Sequence, residues 1–254
     1  MPGTVLVTGV GRRAGIGAGI AMGLAADGWD LVLNHWAPYD DRLGLQRGAH
    51  DADDVADACR TYGVRVEVVS ADLSDPDAPG RLVDAAASLS PIRGVVASHC
   101  ESVDSHTLDT TIESWDRHFA VNARATWLLI KALAAHLPQA PTTDAVCRVV
   151  ALTSDHSAFN LPYGASKGAL DRTVLAAGVE LGGRGLRANV VNPGPIDTGW
   201  MDDAVRAACL AQTPAGRLGT PADIAGLVRF LFSDAGGWIN CQLLHANGGF
   251  HAAI

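Results

Sequence analysis

The chain has 254 residues, a formal charge of −8, 48% hydrophobic and 18% charged side chains, and 28 glycines, proportions that suit a single compact domain over residues 1–254 and exclude a disordered chain. The acidic balance and the absence of a dense Lys/Arg run argue against a nucleic-acid or anionic-membrane surface, which leaves small molecules as the expected partners. Five scattered cysteines without a C-x-x-C pair and nine dispersed histidines predict neither a disulfide framework nor a metal site, and with no signal-like leader and no membrane-length apolar run a cytoplasmic protein is expected.

Thr4–Thr8 is a short β-branched and apolar run that stops at Gly9, and a helical pattern follows from about Ile16 to Asp27. Between them crowd Gly9, Gly11, Gly15 and Gly17. Missing side chains at such a strand–turn–helix junction let the backbone approach a pyrophosphate and aim the helix's first amides at it. The second strand, Leu31–Asn34, ends in Asn34-His35-Trp36, without the acid that would hold the adenosine ribose of NAD. Arg12 and Arg13 in the glycine turn are suited to pair with the extra phosphate of NADP; the alternative is two solvated loop arginines.

Residues 36–50 read as a long loop bordering the adenosine end of a cofactor. A helix is expected over about Asp51–Tyr62 and a third strand over Val64–Val69, running into Asp72, which either meets an adenine ring or opens the turn before the next helix. That helix covers about Pro76–Leu89 and leads to strand Gly94–Ser98, which ends in His99-Cys100-Glu101. One long helix is expected over about Ile112–Leu137, with the poor helix former Asn122 inside it, and then a surface loop over Pro138–Asp144. Strand Cys147–Leu152 carries Thr153 and Ser154 at its end, and the Tyr163 helix runs to about Leu181. Strand Leu186–Val191 closes on Asn192-Pro193-Gly194-Pro195; helices near Met201–Ala211 and Pro221–Phe232 and a strand at Cys241–His245 follow. Strands alternating with helices predict a parallel α/β sheet whose ligands lie at the strand C-terminal ends, where Gly9, Asp72, Ser98, Ser154 and Pro193 all fall.

Tyr163-Gly-Ala-Ser-Lys167 sets a phenol and an ammonium four residues apart, on one helix face. A phenol of ordinary pKa about 10 exchanges protons near neutrality only with help from a positive charge, which Lys167 is placed to give. The pattern gains weight from its company. Thr8-Gly9…Gly15-Ile16-Gly17, Asp72, Val121-Asn122, Thr153-Ser154, Tyr163-x-x-x-Lys167, Asn192-Pro193-Gly194-Pro195-Ile196-Asp197-Thr198, Gly216-Arg217 through Ala225 and Asn247-Gly248-Gly249, in this order, resemble the short-chain dehydrogenase/reductase family, in its single-domain branch near the ketoacyl reductases. The resemblance implies a Rossmann-type doubly wound parallel sheet of about seven strands with helices on both faces. It implies hydride transfer between a nicotinamide cofactor, NADP(H) favoured and NAD(H) the alternative, and a ketone or secondary alcohol, and a homotetramer or homodimer.

It also implies roles. Tyr163 would be the general acid/base, Ser154 would hydrogen-bond the substrate oxygen, Lys167 would lower the pKa of Tyr163 and bind the nicotinamide ribose, and Asn122 would fix a proton-relaying water. The cofactor would lie against Gly9, Gly11, Arg12, Arg13, Gly15, Ile16, Gly17, Asn34, His35, Asp72, Leu73, Ser98, His99, Tyr163, Lys167, Pro193, Gly194, Ile196 and Thr198. Three departures stand out: two extra residues in the glycine turn, Ser98-His99-Cys100-Glu101 where the family has Asn-Asn-Ala-Gly, and a gap of only nine positions between Ser154 and Tyr163. The substrate pocket is expected from the segment Asp155–Pro162, residues after Cys100 and the region 199–214, with Phe159, Trp200 and Met201 supplying apolar surface. A cofactor-binding sensor on the same fold is the competing class, which the intact Asn122, Ser154, Tyr163 and Lys167 argue against.

Overall fold

The computed structural model describes residues 3–45 and 48–250. Its seven strands are β1 (Thr4–Thr8), β2 (Asp30–His35), β3 (Val66–Ser70), β4 (Ile92–Ala97), β5 (Thr142–Leu152), β6 (Arg184–Asn192) and β7 (Leu243–His245). All pair in parallel, in the order β3-β2-β1-β4-β5-β6-β7. The helices are α1 (Ile16–Ala26), α2 (Ala37–Arg42), α3 (Asp51–Arg60), α4 (Ala78–Leu89), α5 (Ile112–His118), α6 (Ala125–Leu133), α7 (Leu161–Glu180), α8 (Asp203–Gln212) and α9 (Pro221–Phe232).

The central strands are short apolar runs because both faces are covered, and successive residues feed two separate cores. Val5, Val7, Leu31, Leu33, Val96 and Val150 point to the face packed by α1, α3 and α9, through Ile20, Leu24, Val55, Ile224 and Val228. Leu6, Val32, Val95, Val149 and Val190 point to the other face, where Leu82, Leu129, Leu133, Leu170 and Val174 bring in α4, α6 and α7. Strand order reverses between β1 and β4, so their C-terminal ends diverge and leave a crevice there, where open parallel sheets bind ligands.

Three expectations are corrected. Residues 37–42 form α2 rather than continuous loop; Pro38 sits in its first turn, where a missing amide costs nothing. β5 starts at Thr142, inside the expected surface loop: Thr142 pairs Arg184, and a register shift follows before regular pairing resumes at Cys147. The long helix after residue 112 is divided, with a π turn over Phe119–Arg124 between α5 and α6 and a 3-10 turn at Ala134–His136. Among the described residues no helix is long and apolar enough to cross a membrane, and no cluster of three or more His, Cys, Asp or Glu could hold a metal ion.

Candidate active site

At the β1/β4 crevice the backbone runs close to itself. Gly9 has φ +75°, and a Cβ there would lie 2.7 Å from the Ser98 carbonyl oxygen; a Cβ on Gly17 would lie 2.7 Å from the Gly9 oxygen. Only glycine lets β1, the end of β4 and the start of α1 approach so closely. The result is a cleft of about 650 Å³, lined by Gly9, Gly11, Arg12 and Gly15 of the glycine turn, by Ser98 and His99, by Pro193 and Thr198, and by Ser154 and Tyr163. An extended dinucleotide fits this shape: a bare glycine turn at the α1 N-terminus for the phosphates, and polar side chains at the far end.

The far end is built on α7. Its Tyr163 and Lys167 share one face, with the Lys167 Nζ 5.7 Å from the centre of the Tyr163 ring. Lys167 is 2% exposed and donates to the Leu152 carbonyl at 2.8 Å, which ties α7 to the end of β5. Burial pulls the Lys167 pKa down, opposed by Cys100 and by Asp171 one turn further along the helix. Burial also pushes the Tyr163 phenol above its ordinary pKa, Cys100 acts in the same direction, and a hydrogen bond with Ser154 opposes them. The lysine therefore lies over the ring rather than at the hydroxyl, and the phenol keeps its proton through the neutral range.

Asn122 explains the π turn. Its side chain is fully buried; Oδ1 accepts from the Glu101 amide at 2.8 Å, and Nδ2 donates to the Glu101 carbonyl at 2.9 Å and to Ser166 Oγ at 2.8 Å. Ser166 in turn donates to the Tyr163 carbonyl at 2.8 Å. The widened turn, a form common at functional sites, thus locks the end of β4 to α7. His99 adds a parallel brace: its Nε2 donates to the Val121 carbonyl at 3.0 Å, which leaves Nδ1 to accept from the Thr8 hydroxyl at 2.6 Å. Burial brings its pKa down to about 3, so the ring is neutral.

The short connection from Ser154 to Tyr163 doubles back tightly on α7. A Cβ on Gly164 would fall onto the His156 carbonyl, so the second position of Tyr-Gly-Ala-Ser-Lys admits only glycine here. Phe159 takes φ +67°, a region costly for a bulky side chain. Asn160 anchors the turn, donating to Ser102 Oγ at 3.1 Å and Asp104 Oδ1 at 2.6 Å.

The family model described as enoyl-(acyl carrier protein) reductase matches residues 9–251. An uncharacterized oxidoreductase of Bacillus subtilis is 31% identical over 252 residues, covering 96% of this chain and 95% of that protein. The chain belongs to the short-chain dehydrogenase/reductase family. An NADPH-dependent aldehyde reductase-like chloroplast protein of Arabidopsis thaliana is 34% identical over 259 residues, covering 96% of this chain and 93% of that protein. The crystal structure of a blue fluorescent protein from a metagenomic library, in complex with NADPH, superposes with a TM-score of 0.83 at 29% identity, over 98% of each chain.

Within this short-chain dehydrogenase/reductase, the remaining expected residues divide. Ile16, Gly17, Leu73, Gly194 and Ile196 line the cleft with those already named. Asn34 also borders it, but its Nδ2 donates to the carbonyls of Val69 and Ala71 at 3.3 and 3.1 Å, so it joins β2 to β3. Asp72 lines the cleft and also opens the turn, accepting from the Ser74 amide at 2.8 Å; burial would raise its pKa, but Ser74 and Arg117 outweigh it and hold the carboxyl below the usual range. His35 ends β2 beside Gly11. Arg13 is not brought in: it is 63% exposed and pairs with Asp51 and Asp54 of α3. Phe159 stays 74% exposed and meets His106 edge-to-face, whereas Trp200 and Met201 do reach the cleft.

Sequence reasoning missed a polar cluster between α2 and the end of β4. The Glu101 carboxylate, 3% exposed, takes Arg42 of α2 and Arg117 of α5 (Nε at 3.0 Å), and Arg117 reaches on to Asp72 at 3.4 Å. Tyr39 of α2 brings its hydroxyl to 3.9 Å from Cys100 Sγ, and burial raises its pKa strongly. The one available signal was Glu101 itself, an acid at the end of β4 where the resemblance leads one to expect glycine.

Proposed function

We propose that this oxidoreductase, one domain over residues 1–254, transfers hydride between a nicotinamide dinucleotide, with NADP(H) favoured, and a ketone or secondary alcohol. Its carrying observation is Tyr163: a phenol that lines the cleft together with Ser154, on the same helix face as buried Lys167. The dinucleotide would lie along Gly9, Gly11, Arg12, Gly15 and Ile16 and reach past Ser98 and His99 to Pro193, Gly194, Ile196 and Thr198, supplying or accepting the hydride. Tyr163, which holds its proton at neutral pH, gives it to the carbonyl oxygen in the reductive direction. Ser154 hydrogen-bonds that same oxygen and fixes its distance from the phenol. Lys167, in its protonated form, sets a positive charge against the ring, which favours the phenolate left after transfer. Asn122 holds α7 and the end of β4 in register. Support for NADP(H) comes from the strand end Asn34-His35, which lacks an acid, from Arg12 in the cleft, and from the NADPH named with two of the relatives. A cytoplasmic homotetramer or homodimer belongs to the same proposal, supported by the apolar Trp127 and Val179 exposed on α6 and α7.

The test is NADPH oxidation measured across ketones, aldehydes and quinones, with Tyr163→Phe as control. On an accepted substrate the variant should lose about 10²–10⁴ in kcat, the range of general acid catalysis, and keep its cofactor affinity. Undiminished kcat would remove Tyr163 from the chemistry; light scattering reads the assembly.

A further inference from the structure

No acid ends β2, yet the folded chain brings one to the same place from α2. Asp40 is 6% exposed and lines the cleft. Its Oδ2 lies 2.8 Å from the point a Cβ on Gly11 would occupy, and the Cβ of His35, the last residue of β2, lies 3.9 Å from that point. The Asp40 Oδ1 meets Arg12 Nε at 3.3 Å, and Arg12 Nη1 donates to the Thr198 carbonyl at 2.9 Å. Glycine turn, strand end, carboxylate and guanidinium therefore converge at one spot, and in this fold that spot receives the adenosine ribose, whose 2′-position distinguishes NAD from NADP.

Resting on the dinucleotide reading of the cleft, we propose that Asp40 is the residue that sets the choice between NAD(H) and NADP(H), with Arg12 as its counterweight. A carboxylate accepts a hydrogen bond from a ribose 2′-hydroxyl and repels a 2′-phosphate. The phosphate of NADP must draw Arg12 away from Asp40, which leaves a buried carboxylate without that cation beside the incoming negative charge. NAD leaves the pair intact. The preference for NADP(H) is consequently held well below what a chain with Arg12 alone would show, and α2, a segment absent from the strand-end pattern, carries the control.

The experiment is equilibrium titration of wild type, Asp40→Asn and Arg12→Gln with NADPH and with NADH, followed by the quenching of tryptophan fluorescence, with thermal melts to establish folding. Asp40→Asn should move the ratio of the two dissociation constants toward NADPH by about 10-fold or more, the worth of one charge-assisted contact, and Arg12→Gln should move it the other way. Asp40→Ser, which also removes the charge, replaces the Asn variant should that one fail to fold. A ratio unchanged in folded Asp40 variants, while wild type binds both nucleotides, overturns the role of Asp40 and leaves the site reading standing. Wild type binding neither nucleotide overturns both.

Discussion

The two ends of the cleft are built by different means. At the proposed catalytic end, Tyr163, Ser166 and Lys167 ride on a single helix, and their partners are backbone groups or a side chain from the π turn: Leu152 O, Tyr163 O and the Asn122 amide. At the proposed adenosine end, Arg12, Asp40, Arg42 and Glu101 come from the glycine turn, α2 and the end of β4, and charged side chains pair with one another. The first construction needs no carboxylate partner: backbone carbonyls and one amide side chain set its geometry. The second depends on where a six-residue helix settles, and on charges that an anionic ligand competes for.

Glu101 joins the two ends, and its removal separates them with the largest effect expected. Its backbone serves Asn122 at the catalytic end, while its carboxylate serves Arg42 and Arg117. Glu101→Gln keeps the backbone bonds and cuts only the charge. Removing one partner of a buried ion pair costs about 3–5 kcal/mol; because both arginines are partly solvated, a loss below that range, about 2–3 kcal/mol, is expected in urea unfolding. Cofactor KM should rise while kcat stays nearly constant. A fall in kcat at unchanged KM would mean that the ends are not separable.

A smaller effect tests the catalytic end alone. Gly164→Ala forces a methyl group onto the His156 carbonyl, and the tight connection after Ser154 must yield. Overpacking of this kind costs about 1–3 kcal/mol. Because His156 also meets the Tyr163 ring edge-on at 6.5 Å, substrate KM should rise with little change in NADPH affinity. Wild-type stability and KM in this variant would show that the connection is loose and that its shortness has no bearing on substrate.

The same contrast decides what could be read from the sequence. Strand and helix order followed from apolar runs and glycine breaks, and the proposed pair of Tyr163 and Lys167 from spacing on one helix, because both are properties of neighbouring residues. The π turn was not legible: Asn122 announced itself as a poor helix former, but its partners, Glu101 and Ser166, are 21 and 44 residues away. α2 was lost for a related reason. Six residues of Ala-Pro-Tyr-Asp-Asp-Arg carry no helical periodicity to speak of, and what fixes them is the pairing of Asp40 with Arg12 and of Arg42 with Glu101. Arg13 shows the converse case: a cation in the glycine turn reads as a phosphate ligand, and the sequence alone does not show the two carboxylates of α3 that pair with it.

His99 supplies the finest test, because it stands between the ends and is neutral where the adenosine end is charged. Its ring links Thr8 of β1 to Val121 of the π turn, and burial lowers its pKa to about 3. Unfolded, the same ring titrates near 6.5. Below about pH 6.5 the unfolded chain takes up a proton that the folded chain refuses until about pH 3, so stability present at neutral pH is lost as the pH falls through that window. The slope contributed is at most about 1.4 kcal/mol per pH unit. His118, also lowered by burial, and the paired carboxylates add acid sensitivity of their own, so the comparison must be made between slopes. His99→Asn should unfold with a shallower pH dependence than wild type between pH 6 and 4, whatever its stability at pH 7. Parallel slopes would mean that the ring accepts a proton in place, and that the brace between β1 and the π turn survives with a charged imidazole.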